Sequence, residues 1–320
     1  MTEPPIAFCS APAAQAVRRR RLRPAVQLTL RVSVLWVVLL GSLVAVCTTA
    51  EGANWKRKAV VTLDTPVTGG SRYLALGDSV TFGYQEPQVV PAPNYRNPSS
   101  FLGYPEQLGA ELHLRVINAA CPGETSASLI NPSAQSFGCE NAYRKAFPLH
   151  VRYQGAQLAY GVSFLRRHRD VRLVSLMVGA NDLFLCQSTT SDSCAAPKEQ
   201  NAVFTRISRN VRRILSAIRN QARYRGQLAI VNYYSLNYAS AFLSNASRGL
   251  NKAMDSAAKP FHVVIADGYG ELKAAARRSG SNTCTAGLLT QLGKPGMCGV
   301  HPSYAGQALL AQALLKAIRL

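Results

Sequence analysis

The chain has 320 residues, 48% of them hydrophobic, and its 36 Lys and Arg against 16 Asp and Glu give a formal net charge of +20. So large an apolar share excludes a disordered polyelectrolyte, although the charge by itself invites a nucleic-acid partner. The charge is unevenly placed, because residues 1–50 carry six arginines and one glutamate while the rest keeps a net charge of +15. A chain of this length accommodates one large folded domain.

The first 50 residues have the layout of a secretory signal. A basic block, Arg18–Arg23, precedes the uncharged apolar run Val32–Val46, and the segment ends in Thr48-Thr49-Ala50. As a helix that run would span roughly 23 Å, less than the ~30 Å hydrocarbon core of a bilayer. We expect a signal peptide cleaved after Ala50, with an uncleaved N-terminal membrane anchor as the alternative. In either case the domain that follows is exported.

Residues 51–70 are rich in Thr, Pro and Gly and are predicted to form a linker, so the folded domain should cover 71–320. Within it, short apolar runs alternate with longer amphipathic stretches. The predicted strands are Tyr73–Leu76, Leu114–Asn118, Leu173–Val178, Leu228–Tyr233 and His262–Ala266. The predicted helices are Leu102–Leu112, Ala156–Arg167, Val203–Tyr224, Phe242–Ala258 and Tyr304–Ile318. This alternation predicts an α/β fold with a parallel sheet covered on both faces.

Two long stretches, Gln85–Ser100 and Glu124–Pro148, do not fit the alternation of strands and helices. Each follows a predicted strand, and long loops in a compact domain are usually functional or mobile. We therefore expect these two loops to wall a substrate pocket.

Six cysteines follow the N-terminal segment and fall into three pairs of sequence neighbours: Cys121 with Cys139, Cys186 with Cys194, and Cys284 with Cys298. Counting alone leaves 15 pairings open. In an exported chain we favour three local disulfides over six buried free thiols. The spacing lacks the C-x-x-C motif of zinc and redox sites.

The first predicted strand leads directly into Gly77-Asp78-Ser79, which places a hydroxyl where a helix would begin at the carboxyl-terminal edge of the sheet. Glycine allows a tight turn, and the helix N-terminus directs backbone N–H groups toward an anion formed beside Ser79. The position suits a nucleophile. An isolated Gly-Asp-Ser is more often an ordinary helix cap, so further residues must decide.

Three further segments occupy comparable positions: Ala120–Thr125 after the second strand, Gly179–Asp182 after the third, and His301 before the last helix. Because the carboxyl ends of parallel strands meet at one edge, these segments can converge. Taken alone, Gly123 is an ordinary turn residue and Asn181 an ordinary loop cap. Together with a serine and a histidine they predict one site.

These four blocks resemble the SGNH (GDSL) hydrolase family, in particular its secreted, disulfide-containing bacterial lipases and esterases, over about residues 71–320. The resemblance implies a flavodoxin-like three-layer α/β/α fold around a central parallel five-stranded sheet, and the hydrolysis of carboxylic esters. It implies that Ser79 is the nucleophile and His301 the general base. It also implies an oxyanion hole made by the backbone N–H groups of Ser79 and Gly123 and the side-chain amide of Asn181.

The sequence departs from the family pattern three residues before the histidine, where the usual Asp is replaced by Cys298. The acid of a catalytic triad accepts the Nδ1–H hydrogen bond and fixes the tautomer and orientation of the ring. We therefore expect a Ser79–His301 dyad oriented by a main-chain oxygen near Cys298, with Asp267 as a less favoured acid. Each predicted disulfide would brace one active-site loop.

No cofactor or metal ion is expected, since the chain has neither His-Glu-x-x-His nor a Cys/His cluster. The remaining histidines of the domain have no comparable context: His113, His150, His168 and His262.

The leading prediction is an exported serine esterase or lipase that forms an acyl-enzyme on Ser79 and acts on a lipid, a small ester or an acylated glycan. The alternatives are an acyltransferase that uses the same acyl-enzyme and a non-catalytic module that binds acylated glycans or lipids. A nucleic-acid partner is least expected, because no recognition motif accompanies the charge. We expect a monomer whose helix arginines form a solvated face, with weak attraction to an anionic membrane or cell wall as the alternative role: Arg206, Arg209, Arg213 and Arg223.

Overall fold

The computed structural model describes residues 65–294 and 296–320. The predicted signal peptide or anchor at 1–50 and most of the predicted linker lie outside the described residues. Among the residues described, none of the helices combines the length and the apolar character that crossing a bilayer requires.

The central sheet has five parallel strands in the order β2-β1-β3-β4-β5. Every strand lies within two residues of a predicted one, because buried strands of a parallel sheet are nearly continuous apolar runs. Their bounds are β1 Arg72–Gly77, β2 Arg115–Asn118, β3 Val171–Met177, β4 Gln227–Val231 and β5 Val264–Ala266.

The helices connect these strands and cover both faces of the sheet, with α2 and α9 packed together on one face and α4, α6 and α7 on the other. Right-handed crossovers produce this division, since the chain moves one way from β1 to β2 and the other way from β3 onward. The flavodoxin-like three-layer fold is confirmed. The helices described are α1 Ser79–Phe82, α2 Tyr104–Glu111, α3 Arg144–Ala146, α4 Gln157–Arg167, α5 Ala180–Thr189, α6 Pro197–Ser216, α7 Ala241–Ala258, α8 Gly268–Ala276 and α9 Tyr304–Ala317.

Some elements were not predicted from the sequence. The strands β6 (Leu289–Gln291) and β7 (Cys298–Pro302) pair antiparallel in a small separate sheet. Helix α5 begins inside the segment Gly179–Asp182, and α8 follows β5 directly. Because β6 has only 3 residues and β7 contains glycine and proline, they lack the alternation that identifies a strand.

The last residues of the predicted linker belong to the folded domain. Thr65 pairs with Gly226 in a parallel bridge, and Val67 is buried and donates its N–H to the carbonyl of Arg319. The folded part of the chain therefore begins by residue 65.

The two long loops lie beyond the carboxyl ends of the strands and carry little regular structure. The second includes one π-helical turn, Cys139–Tyr143, followed by α3. Around Phe82 a small aromatic cluster joins the loops, with the rings of Phe101 and Tyr143 centred 5.2 and 5.4 Å from it. This cluster is separate from the main core and fixes the walls of the site to the first helix.

Candidate active site

Ser79 is the first residue of the short helix α1, immediately after strand β1. Asp78 caps that helix by accepting a hydrogen bond from the N–H of Val80. Gly77-Asp78-Ser79 therefore serves as a helix cap and also supplies the candidate nucleophile. Asp78 is the cap, and the hydroxyl of Ser79 faces the site. Ser79 is only 8% exposed, so its hydroxyl is largely shielded from solvent.

His301 lies on strand β7, and its Nε2 is 2.9 Å from the Oγ of Ser79. The ring of Tyr84 packs edge-on against the imidazole, with the two centroids 4.8 Å apart. The two residues are 222 positions apart in the chain. A serine and an imidazole at hydrogen-bonding distance form the nucleophile–base pair that acyl transfer needs.

The expectation that a main-chain oxygen near Cys298 orients His301 is wrong. The Nδ1 of His301 lies 2.7 Å from the Oε1 of Glu86, a carboxylate on the loop that follows α1. Asp267, the less favoured acid, caps helix α8 by accepting from the N–H of Gly270 instead. The position usually held by the family's acid is occupied by a disulfide sulfur, and a carboxylate from a different loop takes its place beside the ring.

Glu86 is held by several donors. Its Oε1 also accepts from the backbone N–H of Val300 at 2.9 Å, and its Oε2 accepts from the hydroxyl of Thr290 at 2.5 Å. Gly299 lies against the carboxylate so closely that a Cβ there would collide with it. Burial opposes the charge on Glu86, but the hydrogen bond and charge of His301 and the hydroxyl of Thr290 lower its pKa to about 2. Glu86 is therefore ionised at neutral pH.

The predicted oxyanion loop is locked at Gly123, which has a left-handed backbone with φ of 82°. A Cβ at this position would lie 2.7 Å from the carbonyl oxygen of Phe137 and 2.8 Å from the nitrogen of Cys139, so a larger residue does not fit. The N–H of Phe137 donates to the carbonyl of Gly123, and the Cys121–Cys139 disulfide closes the same pair of segments. The turn glycine is thus fixed from both sides.

Asn181 links the segment of Asp78 and Ser79 to the oxyanion loop of Gly123 and Glu124. It is the second residue of α5 and 4% exposed, and its amide Nδ2 donates to the carbonyl of Glu124 at 2.9 Å. The same nitrogen lies 3.5 Å from the Oδ2 of Asp78. The amide predicted to bind an oxyanion is therefore held between the residue before Ser79 and the residue after Gly123.

A buried glutamine connects Gly77, two residues before Ser79, to the oxyanion loop that contains Gly123 and Glu124. The side chain of Gln157 bonds both backbone groups of Gly77, accepting from its N–H at 2.7 Å and donating to its carbonyl at 3.0 Å. The same amide donates to the carboxylate of Glu124 at 3.0 Å, and Ser128 donates to the other carboxylate oxygen. Because every partner is buried, this network fixes the distance between the two loops.

Several carboxyl groups behind the site have raised pKa values. Burial raises the pKa of Asp78 to about 6, although hydrogen bonds from Tyr233 and Val80 lower it in part. Burial likewise raises the pKa of Glu106 to about 7 and that of Glu124 to about 8. Removing a carboxylate from water disfavours its charged form, and the hydrogen bonds here offset only part of that effect.

The three predicted disulfides are present: Cys121–Cys139, Cys186–Cys194 and Cys284–Cys298. The first closes the oxyanion loop, the second ties the end of α5 to the loop after it, and the third anchors the start of β7. Each lies on a segment that also carries a predicted site residue.

Two groups of described side chains bring sulfur and carboxylate atoms together, Cys121 and Cys139 with Glu124, and Cys186 and Cys194 with Glu199. In both groups the sulfurs are joined in a disulfide, which leaves no thiolate to bind a metal ion. The absence of a metal or cofactor from the reaction stays a prediction.

Sequence reasoning missed Glu86, although one signal was present. It is the only acidic residue in the loop Gln85–Ser100, which was expected to wall the pocket. Sequence reasoning also missed Gln157. It lies on helix α4, which was predicted as a helix but without a role in the site. Of the remaining histidines, His150 contacts the carbonyl of Phe82 through Nε2 at 3.0 Å, behind the site.

Comparison with known proteins gives one family and a set of similar folds. Residues 75–309 match the model of the GDSL-like lipase/acylhydrolase family. A search of curated proteins by sequence found no match.

Among solved structures, the chain is similar to LAE5, an alpha/beta hydrolase enzyme from the metagenome of Lake Arreo, Spain, with 17% identity, a TM-score of 0.50 and coverage of 78% of this chain and 96% of that one. It is similar to a catalytic mutant of Axe2, an acetylxylan esterase from Geobacillus stearothermophilus, with 17% identity, a TM-score of 0.50 and coverage of 79% and 96%. It is also similar to the lipase Lip_vut3 from a goat rumen metagenome, with 15% identity, a TM-score of 0.51 and coverage of 77% and 97%. At these identities the likeness concerns the fold.

Proposed function

We propose, from the premise that this chain belongs to the GDSL-like lipase/acylhydrolase family and is a carboxylic ester hydrolase, that it works through an acyl-enzyme on Ser79. His301 is the general base in this proposal, and Glu86 is the acid that orients it. The observation that carries the proposal is the line of contacts from Ser79 Oγ through both nitrogens of His301 to the Glu86 carboxylate, at 2.9 and 2.7 Å.

In the first step His301 Nε2 takes the proton of Ser79 as the hydroxyl oxygen attacks the ester carbonyl. The imidazole becomes a cation, and the ionised Glu86 beside Nδ1 stabilises it. The tetrahedral oxyanion is stabilised by the N–H groups of Ser79 and Gly123 and the amide of Asn181. His301 then returns its proton to the alcohol as the ester bond breaks and leaves the acyl group on Ser79.

In the second step water attacks the acyl-enzyme with the same base and the same oxyanion donors. The carboxylic acid leaves and Ser79 regains its proton. Neutral imidazole is needed in both steps, because only an unprotonated Nε2 can accept the proton of Ser79 or of the attacking water.

Replacement of Ser79 tests the proposal. Ser79→Ala should abolish hydrolysis of p-nitrophenyl acetate, with kcat/KM reduced by roughly 10³ or more because the nucleophile is lost. Ser244→Ala is the matched control, since that serine is also buried but lies on α7, where its hydroxyl donates to the carbonyl of Tyr238 outside the proposed machinery. A Ser79→Ala protein that keeps wild-type turnover and its normal melting temperature would refute the acyl-enzyme.

Export and substrate class complete the proposal. The three disulfides support an oxidising compartment outside the cytoplasm. The ester substrate is a lipid, a small ester or an acylated glycan, and the protein acts as a monomer. Hydrolysis measured across a series of acyl lengths, with Ser79→Ala as the blank, would identify the substrate class, and product analysis with a competing alcohol would identify acyl transfer.

A further inference from the structure

The amino-terminal ends of the sheet strands lie at a strongly basic edge. Because β1 to β5 are parallel, the segments that lead into them all meet at the edge opposite the active site. Residues 166–172 before and within β3 hold four arginines and one aspartate, and residues 219–227 before and within β4 hold three arginines and no acid. Strand β1 begins with Arg72, and β2 begins with Arg115.

The acid in these segments is already engaged. Asp170 accepts from the guanidinium groups of Arg72 and Arg115. Arg219 is also used internally, since it is buried and donates to main-chain carbonyls around the entry to β4 and β5. The arginines that remain on the outside of the two segments are exposed: Arg166, Arg167, Arg169, Arg223 and Arg225.

A groove beside this edge combines positive charge with an apolar lining. It has a volume of about 780 Å³ and lies between α4 and the end of α6. Arg166, Arg212 and Arg213 line it together with Leu158 and Val162. Guanidinium groups bind phosphate, and an apolar lining suits hydrocarbon, so the groove fits an anionic amphiphile better than it fits a fully polar polymer.

The chain also enters the domain at this edge. Thr65, the first described residue, bridges Gly226, and Thr65 O accepts from the side chain of Gln227 at the start of β4. In the sequence, the 64 residues that precede it include the apolar run Val32–Val46 and, seven to nine positions before Thr65, the basic residues Lys56, Arg57 and Lys58. In sequence, a segment with the composition of a membrane signal therefore precedes the point at which the described chain enters this edge.

We propose that this basic edge is a docking surface for a membrane that contains anionic phospholipids. Lys and Arg near such a surface are attracted by its negative potential, and the attraction decays within a Debye length. The docking does not depend on the proposed ester hydrolysis. It does have a consequence for that activity, because the active site lies at the opposite edge and faces away from the bilayer. The ester would reach the docked enzyme from the aqueous side.

Hydrogen–deuterium exchange of the full chain tests both the contact and its direction. The protein is bound to phosphatidylcholine vesicles with and without phosphatidylglycerol. We expect protection of residues 166–172 and 219–227 only when phosphatidylglycerol is present, lost at high salt, with exchange at 79–90 and 298–303 unchanged. In the same samples, turnover of soluble p-nitrophenyl acetate should stay the same.

A charge variant and a matched control complete the test. The quadruple variant Arg167→Gln, Arg169→Gln, Arg223→Gln and Arg225→Gln should lose about tenfold or more in affinity for the anionic vesicles. The control Lys145→Gln, Arg152→Gln, Lys198→Gln and Lys252→Gln removes the same charge from other exposed positions and should bind nearly as wild type.

Three results would overturn the docking: equal protection on both kinds of vesicle, protection at the active-site edge, or full binding by the arginine variant. Protection of the two segments by polyphosphate or RNA but not by vesicles would replace the membrane with a soluble polyanion and would also overturn it. Failure of docking with hydrolysis intact leaves the proposed function standing, whereas loss of hydrolysis in free solution counts only against that function.

Discussion

The two edges of the same sheet differ in both charge and burial. At the amino-terminal edge, strands β1 and β2 begin with arginine, and the exposed arginines before β3 and β4 face water. At the carboxyl-terminal edge the strands are followed by acids, among them Asp78 after β1 and Asp182 close after β3. One edge therefore presents a diffuse positive field, and the other holds individually bonded carboxyl groups.

The difference shows that a buried carboxyl group requires more structural support than an exposed arginine. A buried carboxyl group needs hydrogen-bond partners, and each partner fixes the position of a loop. Asp182 shows this, since both of its oxygens accept from Ser126 and so bind α5 to the oxyanion loop. An exposed arginine needs no such partner and constrains little. Substitutions should consequently have large effects at one edge and small effects at the other.

After the loss of Ser79 itself, the largest expected effect is at Glu86. Glu86→Gln keeps the size of the side chain but removes the charge that stabilises the imidazolium, so kcat should fall about 10² to 10⁴-fold with little change in KM. Gly299→Ala tests the same contact without touching the acid, because the added Cβ would displace the carboxylate from His301. Steady-state kinetics on a soluble ester measure both. An unchanged kcat in Glu86→Gln would show that the negative charge of Glu86 does not contribute to catalysis.

The next effect is at Asn181. Asn181→Ala removes one oxyanion donor and should lower kcat about 10² to 10³-fold. Asn210→Ala is the control, since its amide also binds a buried hydroxyl, that of Ser126, but lies outside the proposed oxyanion hole. The control should lose stability and keep kcat. Equal losses of kcat in the two variants would mean that Asn181 acts only by holding its loops.

A smaller effect is expected on stability as the pH changes. The raised pKa values of Asp78, Glu106 and Glu124 mean that the folded state holds protons which the unfolded chain releases. Their contribution to stability is complete below the unfolded pKa values near 4 and is lost as the pH rises through about 6 to about 8. The melting temperature should fall across that range.

Glu124→Gln isolates the alkaline part of this dependence. Glutamine cannot ionise, so the decline of the melting temperature near pH 8 should flatten in the variant. Differential scanning calorimetry at a series of pH values measures it. If the melting temperature of the wild-type protein rose between about pH 6 and about pH 8, the buried carboxyl groups could not be protonated as assigned.

The smallest effect is expected at the opposite edge. Replacing Arg167, Arg169, Arg223 and Arg225 with glutamine should leave kcat in free solution unchanged and alter the free energy of unfolding by about 0.5 kcal/mol or less per site. Denaturant unfolding and soluble-ester kinetics provide the two readouts. A large loss of kcat would show that charge at this edge acts on the chemistry and would remove the distinction between the edges.

The fold could be predicted because buried parallel strands leave a strong local signal. The apolar runs of β1, β3 and β4 identified the strands, and the residues that follow them identified one edge. Helix α6 was equally visible, since Val203, Ile207 and Val211 recur at helical spacing and are buried.

The acid of the site could not be predicted in the same way. Glu86 and His301 are 215 positions apart, and their contact depends on how a proline-rich loop crosses a two-stranded sheet that the sequence did not reveal. Neither segment has the periodicity that defines an element. The family pattern placed the acid next to the histidine in sequence, whereas the structure requires only that a carboxylate lie next to Nδ1 in space.

Cys298 gives the strand that carries the base a covalent attachment. Where the family pattern has the acid, this chain has one half of the Cys284–Cys298 bridge, and the strand that begins there carries His301. The bridge fastens the start of β7 to the segment around Cys284, and the Glu86 carboxylate binds the backbone of Val300 one residue before the base. The strand that carries His301 is therefore held by one covalent bond and by the same acid that contacts the imidazole.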